Sequence, residues 1–216
     1  MSAVTPSLFS EGLLLGLALF AAPGPKDTLV IRQGVAAGPL LGVVVICVLA
    51  DALLIGLGVA GLGTLLDSHP AATSAMVVGG AAYLLWFGSQ RLVACLRNRS
   101  MPTLSAEGPH AEPRLLRTAA LLSLANPYAW LDTVVLIGSI AAAKPIAQQP
   151  AFSAGAMLAS LAWFVCLAIG SRRLAGLFRS ATAWRWLDAG TAVMMVYLTW
   201  DLLHGSPALA WLTARA

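Results

Sequence analysis

Two aspartates stand alone in apolar surroundings. Asp51 lies within Val48-Leu49-Ala50-Asp51-Ala52-Leu53-Leu54, and Asp132 lies within Trp130-Leu131-Asp132-Thr133-Val134-Val135. An ionisable side chain deep in a bilayer costs roughly 2.5–3.5 kcal/mol or more and ordinarily faces the bundle interior with a partner. No basic residue falls deep in the later apolar runs. The partner of each acid is therefore a proton, Lys26, or a cationic ligand. A carboxylate that trades a proton for a cation has the chemistry an antiporter needs. The structural alternative keeps both acids permanently protonated in hydrogen bonds.

Two proline-marked breaks accompany these acids, Pro23-Gly24-Pro25 and Asn126-Pro127. Proline removes a backbone donor and clashes with the preceding turn. Polar backbone groups freed in this way are tolerated at membrane depth only where protein buries them or a water-filled cavity receives them. One break alone reads as a packed kink. A matched pair in the two halves of a chain points to a substrate site between repeats. The candidate binding or proton-coupling residues are Asp51, Asp132, Asp27, Lys26, Asn126 and Thr133, with Gly24, Pro25 and Pro127 as the helix breaks. Asp27 opens a half-helix, which suits capping and binding equally. Lys26, its neighbour, points to a different face.

The elements that must position these residues are membrane helices. The 216 residues are 59% hydrophobic and 10% charged, with a mean hydropathy of +0.82. Soluble domains carry about 25% charged residues, so a water-soluble globule is excluded. A span needs roughly 20 residues, which leaves room for about six and no soluble catalytic domain. The apolar runs fall at about 8–24 (broken, continuing to about 35), 40–66, 71–95, 118–143 (broken), 152–170 and 187–204. The first has no basic residues before it and reads as a retained span rather than a cleaved signal.

The halves repeat. Asp27-Thr28-Leu29-Val30 after the first break resembles Asp132-Thr133-Val134-Val135 after the second, and the run from Gly79 to Trp86 aligns without gaps on that from Gly190 to Tyr197. The predicted fold is an all-α integral membrane protein of six transmembrane helices in two inverted three-helix repeats. Residues 1–96 form the first repeat, 97–117 a cytoplasmic loop and 118–216 the second repeat, with helices 1 and 4 broken. Arginines concentrate in the 1–2, 3–4 and 5–6 connections, which places those in the cytoplasm and both termini on the other side. Five spans with a cytoplasmic N-terminus is the alternative. Arg91 and Asp201 read as interfacial residues near span ends, and most tryptophans as belt anchors.

Other classes are poorly supported. The +4 net charge reflects topology rather than nucleic acid. Cys47, Cys95 and Cys166 are far apart, against a disulfide framework or zinc cluster. Cys47 and Cys166 also fail to align under the repeat, which disfavours an intramembrane redox protein. No nucleophile elbow, phosphate loop or selectivity-filter sequence occurs, so no enzyme activity, metal or cofactor is expected. The stretches Gly56-Leu57-Gly58 and Gly61-Leu62-Gly63 suit close helix contact within or between subunits, which leaves a homodimer open.

The chain resembles the LysE-type exporters of basic amino acids over about residues 10–203. The resemblance rests on Gly24-Pro25 with Gln33-Gly34, on Asp51, on Gly79-Gly80 to Leu85-Trp86-Phe87-Gly88, and above all on Asn126 to Ser139. It implies an inner-membrane secondary transporter. That transporter would export L-lysine or L-arginine from the cytoplasm, driven by protons or membrane potential, with Asp51 and Asp132 as the important acids. Export of neutral amino acids or another small solute is the alternative. One departure bears on the substrate: where the family usually has Gln-Asn after the Gly-Pro, this chain has Lys26-Asp27.

Overall fold

The computed structural model describes residues 6–21, 24–97 and 111–205. Pro23 of the first break, positions 98–110 of the polar loop and both chain ends, on which the orientation of the termini bears, lie outside the described residues. The helices are α1 (Pro6–Phe20), α2 (Pro25–Val35), α3 (Leu40–Leu57), α4 (Gly63–Asp67), α5 (Pro70–Leu96), α6 (Ala111–Leu124), α7 (Pro127–Ala129), α8 (Gly138–Ala142), α9 (Gln149–Arg173) and α10 (Ala181–Gly205). Wide, π-type turns at Gly58–Leu62 and Trp130–Ile137 join α3 to α4 and α7 to α8.

The prolines stand where helices start. Pro25 and Pro127 each occupy the first turn of a helix, where a missing N–H leaves no bond unmade. Asn126 caps α7 by accepting from the Tyr128 backbone N–H at 3.0 Å. The pieces on either side of the breaks are inclined by 77° (α1 and α2) and 50° (α6 and the α7–α8 segment). Three continuous helical stretches, Leu40–Leu66, Ala71–Leu96 and Gln149–Phe178, are long and apolar enough to cross a membrane, and each bent pair passes the same test, which makes five. α10 is 25 residues long but is not among them. Asp188, Asp201 and His204 dilute its hydropathy.

Packing interleaves the chain. α1 lies along α9, α6 lies along α3, and α5 lies along α10. The first contact is made backbone to backbone: a Cβ on Gly12 would run into the Phe152 carbonyl oxygen, and one on Gly155 into that of Phe9. Such close approach is how helices gain van der Waals contact when lipid offers no hydrophobic drive. The wide turns also meet through glycine, since a Cβ on Gly138 would stand 2.7 Å from the Gly58 α-carbon. Gly58 thus serves contact within one chain, whereas Gly56 has open space beside it. Gly12→Val is expected to unseat α1 and destabilise the protein by at least about 1–3 kcal/mol. Thermal unfolding of the purified protein in detergent checks this, with Gly56→Val as the near-neutral control.

Outward-facing apolar side chains are what a lipid-embedded bundle presents. Leu41, Val45, Leu49 and Leu53 recur every fourth residue on α3 and are exposed, as are Trp86, Trp186 and Trp200. Cys47, Cys95 and Cys166 are all free, and among the described residues no group of three His, Cys, Asp or Glu side chains could hold a metal ion.

Candidate substrate cavity

The two breaks face each other across one narrow cavity. It is lined by Gly24, Pro25, Lys26 and Asp27 of the first break and by Asn126, Tyr128, Asp132 and Thr133 of the second. Phe20, Leu84, Trp163, Phe164 and Leu198 supply apolar walls. Of the nine positions singled out from sequence, seven therefore share this cavity. Pro127 lies outside it, on a separate groove with Trp130. Asp51 is the other exception and sits one layer behind Lys26.

Asp51 is fully buried on α3. One oxygen takes an ion pair from the Lys26 ammonium, and the other accepts from the Ser160 hydroxyl of α9 at 2.7 Å. Lys26 is further held by the rings of Phe20 and Phe164, whose centroids lie 5.4 and 5.2 Å from its Nζ. Of the three partners left open for Asp51 by the sequence, the structure supplies Lys26. A short tether makes this possible, because Lys26 opens α2 beside the break and reaches across to mid-α3.

Asp27 is used at both oxygens. Oδ2 accepts from the Gly24 backbone N–H at 2.6 Å, which caps the free end of α2, and Oδ1 accepts from Trp163 Nε1 at 2.9 Å. The capping role is therefore met. Asp132 differs. Its side chain interacts with the Tyr128 hydroxyl, and Lys26 acts on it only at longer range. Among the described residues no Lys or Arg forms an ion pair with Asp132. Two carboxylates, Asp27 and Asp132, thus line the cavity with the Lys26 ammonium. Asp27 has both oxygens engaged by N–H donors, and Asp132 has no ion-pair partner among the described residues.

Several contributors carry a sequence signal that is visible only in retrospect. Ser160, Trp163 and Phe164 stand at i, i+3 and i+4 on α9, so they share one helix face turned to the site. The Trp163 indole N–H holds Asp27, away from the belt position that most tryptophans suggest. Arg91 also departs from expectation. Its guanidinium turns inward to Asp188 at 3.7 Å instead of standing free at the interface.

Comparison with known proteins settles the family. The model of the LysE type translocator family matches residues 17–206. The chain belongs to the LysE-type translocators. Among its relatives, a "Lysine exporter LysE" of Corynebacterium efficiens is 34% identical, with 91% of this chain and 98% of the relative covered. A "Putative amino-acid transporter Mb0498" of Mycobacterium bovis is 35% identical, with 89% and 95% covered. An "Arginine exporter protein ArgO" of Yersinia enterocolitica is 31% identical, with 82% and 93% covered. No solved structure matches. This LysE-type translocator is thus a multi-pass helical membrane protein, and residues of both helix breaks, Asp132 among them, line one cavity.

Proposed function

We propose that this translocator exports cationic amino acids, L-arginine or L-lysine, from the cytoplasm across the inner membrane, coupled to protons or to the membrane potential. The observation that carries the reading is Asp132: a carboxylate on the wall of a cavity between two broken helices, with no basic residue paired to it among the described residues. In this reading the ligand's cationic group takes the place beside Asp132. Asn126 and Thr133, both nearly fully buried on the same wall, orient its amino-acid end by hydrogen bonds. Asp51 and Lys26 form the fixed charged floor, and the proton exchange falls to Asp132.

Six spans in two inverted repeats form the frame of this proposal, with α10 as the sixth and both termini outside the cytoplasm. The exchange of partners supports it: α1 packs on α9 as α6 packs on α3, and α5 packs on α10, the helix that the sequence repeat pairs with it. The family relationship, with relatives named for lysine and arginine export, supports the substrate class.

A second reading is favoured by one observation. Because Lys26 already neutralises Asp51, the site offers less negative charge than its carboxylates suggest, and a neutral amino acid would fit that balance. Efflux from cells loaded with arginine-, lysine-, leucine- or alanine-containing dipeptides separates the two. The expected result is faster efflux of arginine and lysine in cells making the protein than in cells without it, with leucine and alanine unchanged. The reverse ranking would establish the neutral reading, and no difference for any of the four would overturn amino-acid export.

A further inference from the structure

A second charged cluster lies inside the bundle, away from the cavity. Asp188 of α10 is fully buried. Its Oδ1 accepts from Arg32 Nη2 of α2 at 2.6 Å and faces Arg91 Nη1 of α5 at 3.7 Å. The Arg32 guanidinium stands 5.4 Å from the Trp184 ring and that of Arg91 4.8 Å from the Phe87 ring. Two guanidiniums against one carboxylate leave a positive surplus, and among the described residues Asp188 Oδ2, Arg32 Nε and Arg91 Nε are buried without a hydrogen-bond partner. Buried ion pairs are weak stabilisers, since desolvation offsets most of their attraction and well-packed apolar groups often serve as well or better. An incompletely satisfied triad joining three helices therefore asks for a role other than stability.

Its position supplies one. α5 and α10 run antiparallel: a Cβ on Gly88 would press on Met195, while one on Gly80 would meet Leu202. Leu84 and Leu198, at the middle of this contact, line the cavity. At about 1.5 Å per residue, Arg91 lies roughly 10 Å beyond Leu84 and Asp188 roughly 15 Å before Leu198, towards the same end. Leu84, Phe87, Met195 and Leu198 fill the space between as one apolar layer. Arg97 after α5 and Arg172 and Arg173 at the end of α9 mark this as the arginine-rich side.

The opposite end is built differently. The alignment that pairs Gly79 with Gly190 also pairs Val77 with Asp188 and Arg91 with Leu202. Val77 and Leu202 pack together in an apolar cluster. One end of the α5–α10 contact is thus closed by charge and the corresponding place at the other end by hydrocarbon. Separating the charged end leaves each ionised group open to incoming water, whereas separating the apolar end exposes hydrocarbon.

We propose that Arg32, Asp188 and Arg91 form the latch of a gate. They hold α2 and α5 against α10, shut the arginine-rich approach to the cavity, and release it when Asp188 parts from Arg32. The inference rests on the transporter reading above, and it adds residues outside the cavity that decide which side has access.

The test is side-specific labelling. Leu198→Cys, introduced after replacing Cys47, Cys95 and Cys166, places a reporter thiol on the cavity wall. A charged, membrane-impermeant methanethiosulfonate is then added to inside-out or right-side-out vesicles. Asp188→Asn is expected to raise the labelling rate from the arginine-rich face by about tenfold and to leave the other face unchanged. Arg32→Gln, which removes the closer ion pair while Asp188 keeps Arg91, is expected to do the same, and Asp188→Glu to label as the parent does. Variants are compared at equal thermal stability in detergent. Unchanged labelling in a folded Asp188→Asn or Arg32→Gln protein, or equal gains on both faces, overturns the latch. The readout needs no transported solute, so one-sided labelling without amino-acid efflux would remove the proposed substrate and leave the latch standing.

Discussion

Asp132→Asn is expected to abolish export of arginine and lysine while leaving the protein inserted and folded. The side chain keeps its shape and its contact with the Tyr128 hydroxyl, but loses the charge that a cationic ligand would meet. Removing one member of a desolvated charge pair costs about 2–5 kcal/mol, equivalent to roughly a 30-fold or greater loss of affinity or rate. Because Asp132 forms no ion pair with a Lys or Arg among the described residues and Lys26 keeps Asp51, this substitution strands no cation of the protein itself. The loss should therefore appear in counterflow of labelled arginine in reconstituted vesicles and not in the melting temperature. Asp132→Glu keeps the charge and should retain part of the activity. Normal counterflow by Asp132→Asn would show that the cation is bound elsewhere.

Lys26→Met is expected to act in the opposite way, on stability first. Asp51 is fully buried, and Lys26 and Ser160 are its partners. Taking the ammonium away leaves a buried carboxylate with one hydroxyl for company, a change of about 3–5 kcal/mol when one partner of a buried pair is removed. Combining it with Asp51→Asn removes both charges, and the double variant should recover most of that loss. Thermal unfolding of the four proteins in detergent gives the coupling directly. Equal melting temperatures for all four would show that the pair contributes nothing. Asp51→Asn alone is expected to fall between, because the stranded Lys26 faces the cavity and has Asp27 and Asp132 within electrostatic reach.

Much of the site is legible along the chain because proline and isolated acids leave a mark that does not depend on the fold. Pro25 and Pro127 start helices and Asn126 caps one, and of these Pro25 and Asn126 line the cavity. What the one-dimensional pattern leaves open is pairing. Asp51 has three candidate partners in the sequence, and the choice of Lys26 depends on α2 lying across α3. In sequence Arg32 looks like a marker of topology and Arg91 like an interfacial residue near a span end. Their approach to Asp188 joins residues 156 positions apart in one case, a separation at which local spacing carries no information. The wide turn at Trp130–Ile137 has no distinguishing residue type, since Trp130-Leu131-Asp132-Thr133 would suit an ordinary helix equally well. Six apolar runs can be counted in the sequence, but α10 is not among the helices that qualify as spans. Its small and polar residues, Asp188, Thr191, Ala192 and Thr199, are buried.

The seating of α1 on α9 through Gly12 and Gly155, with α6 on α3, means that neither half of the chain contains the surface its own first helix lies on. Each half is a plug for the other's socket. A polypeptide severed between α5 and α6 would yield two pieces that must find one another before either is complete, and newly made α1 has no permanent berth until α9, the better part of the molecule later, has been threaded into the bilayer.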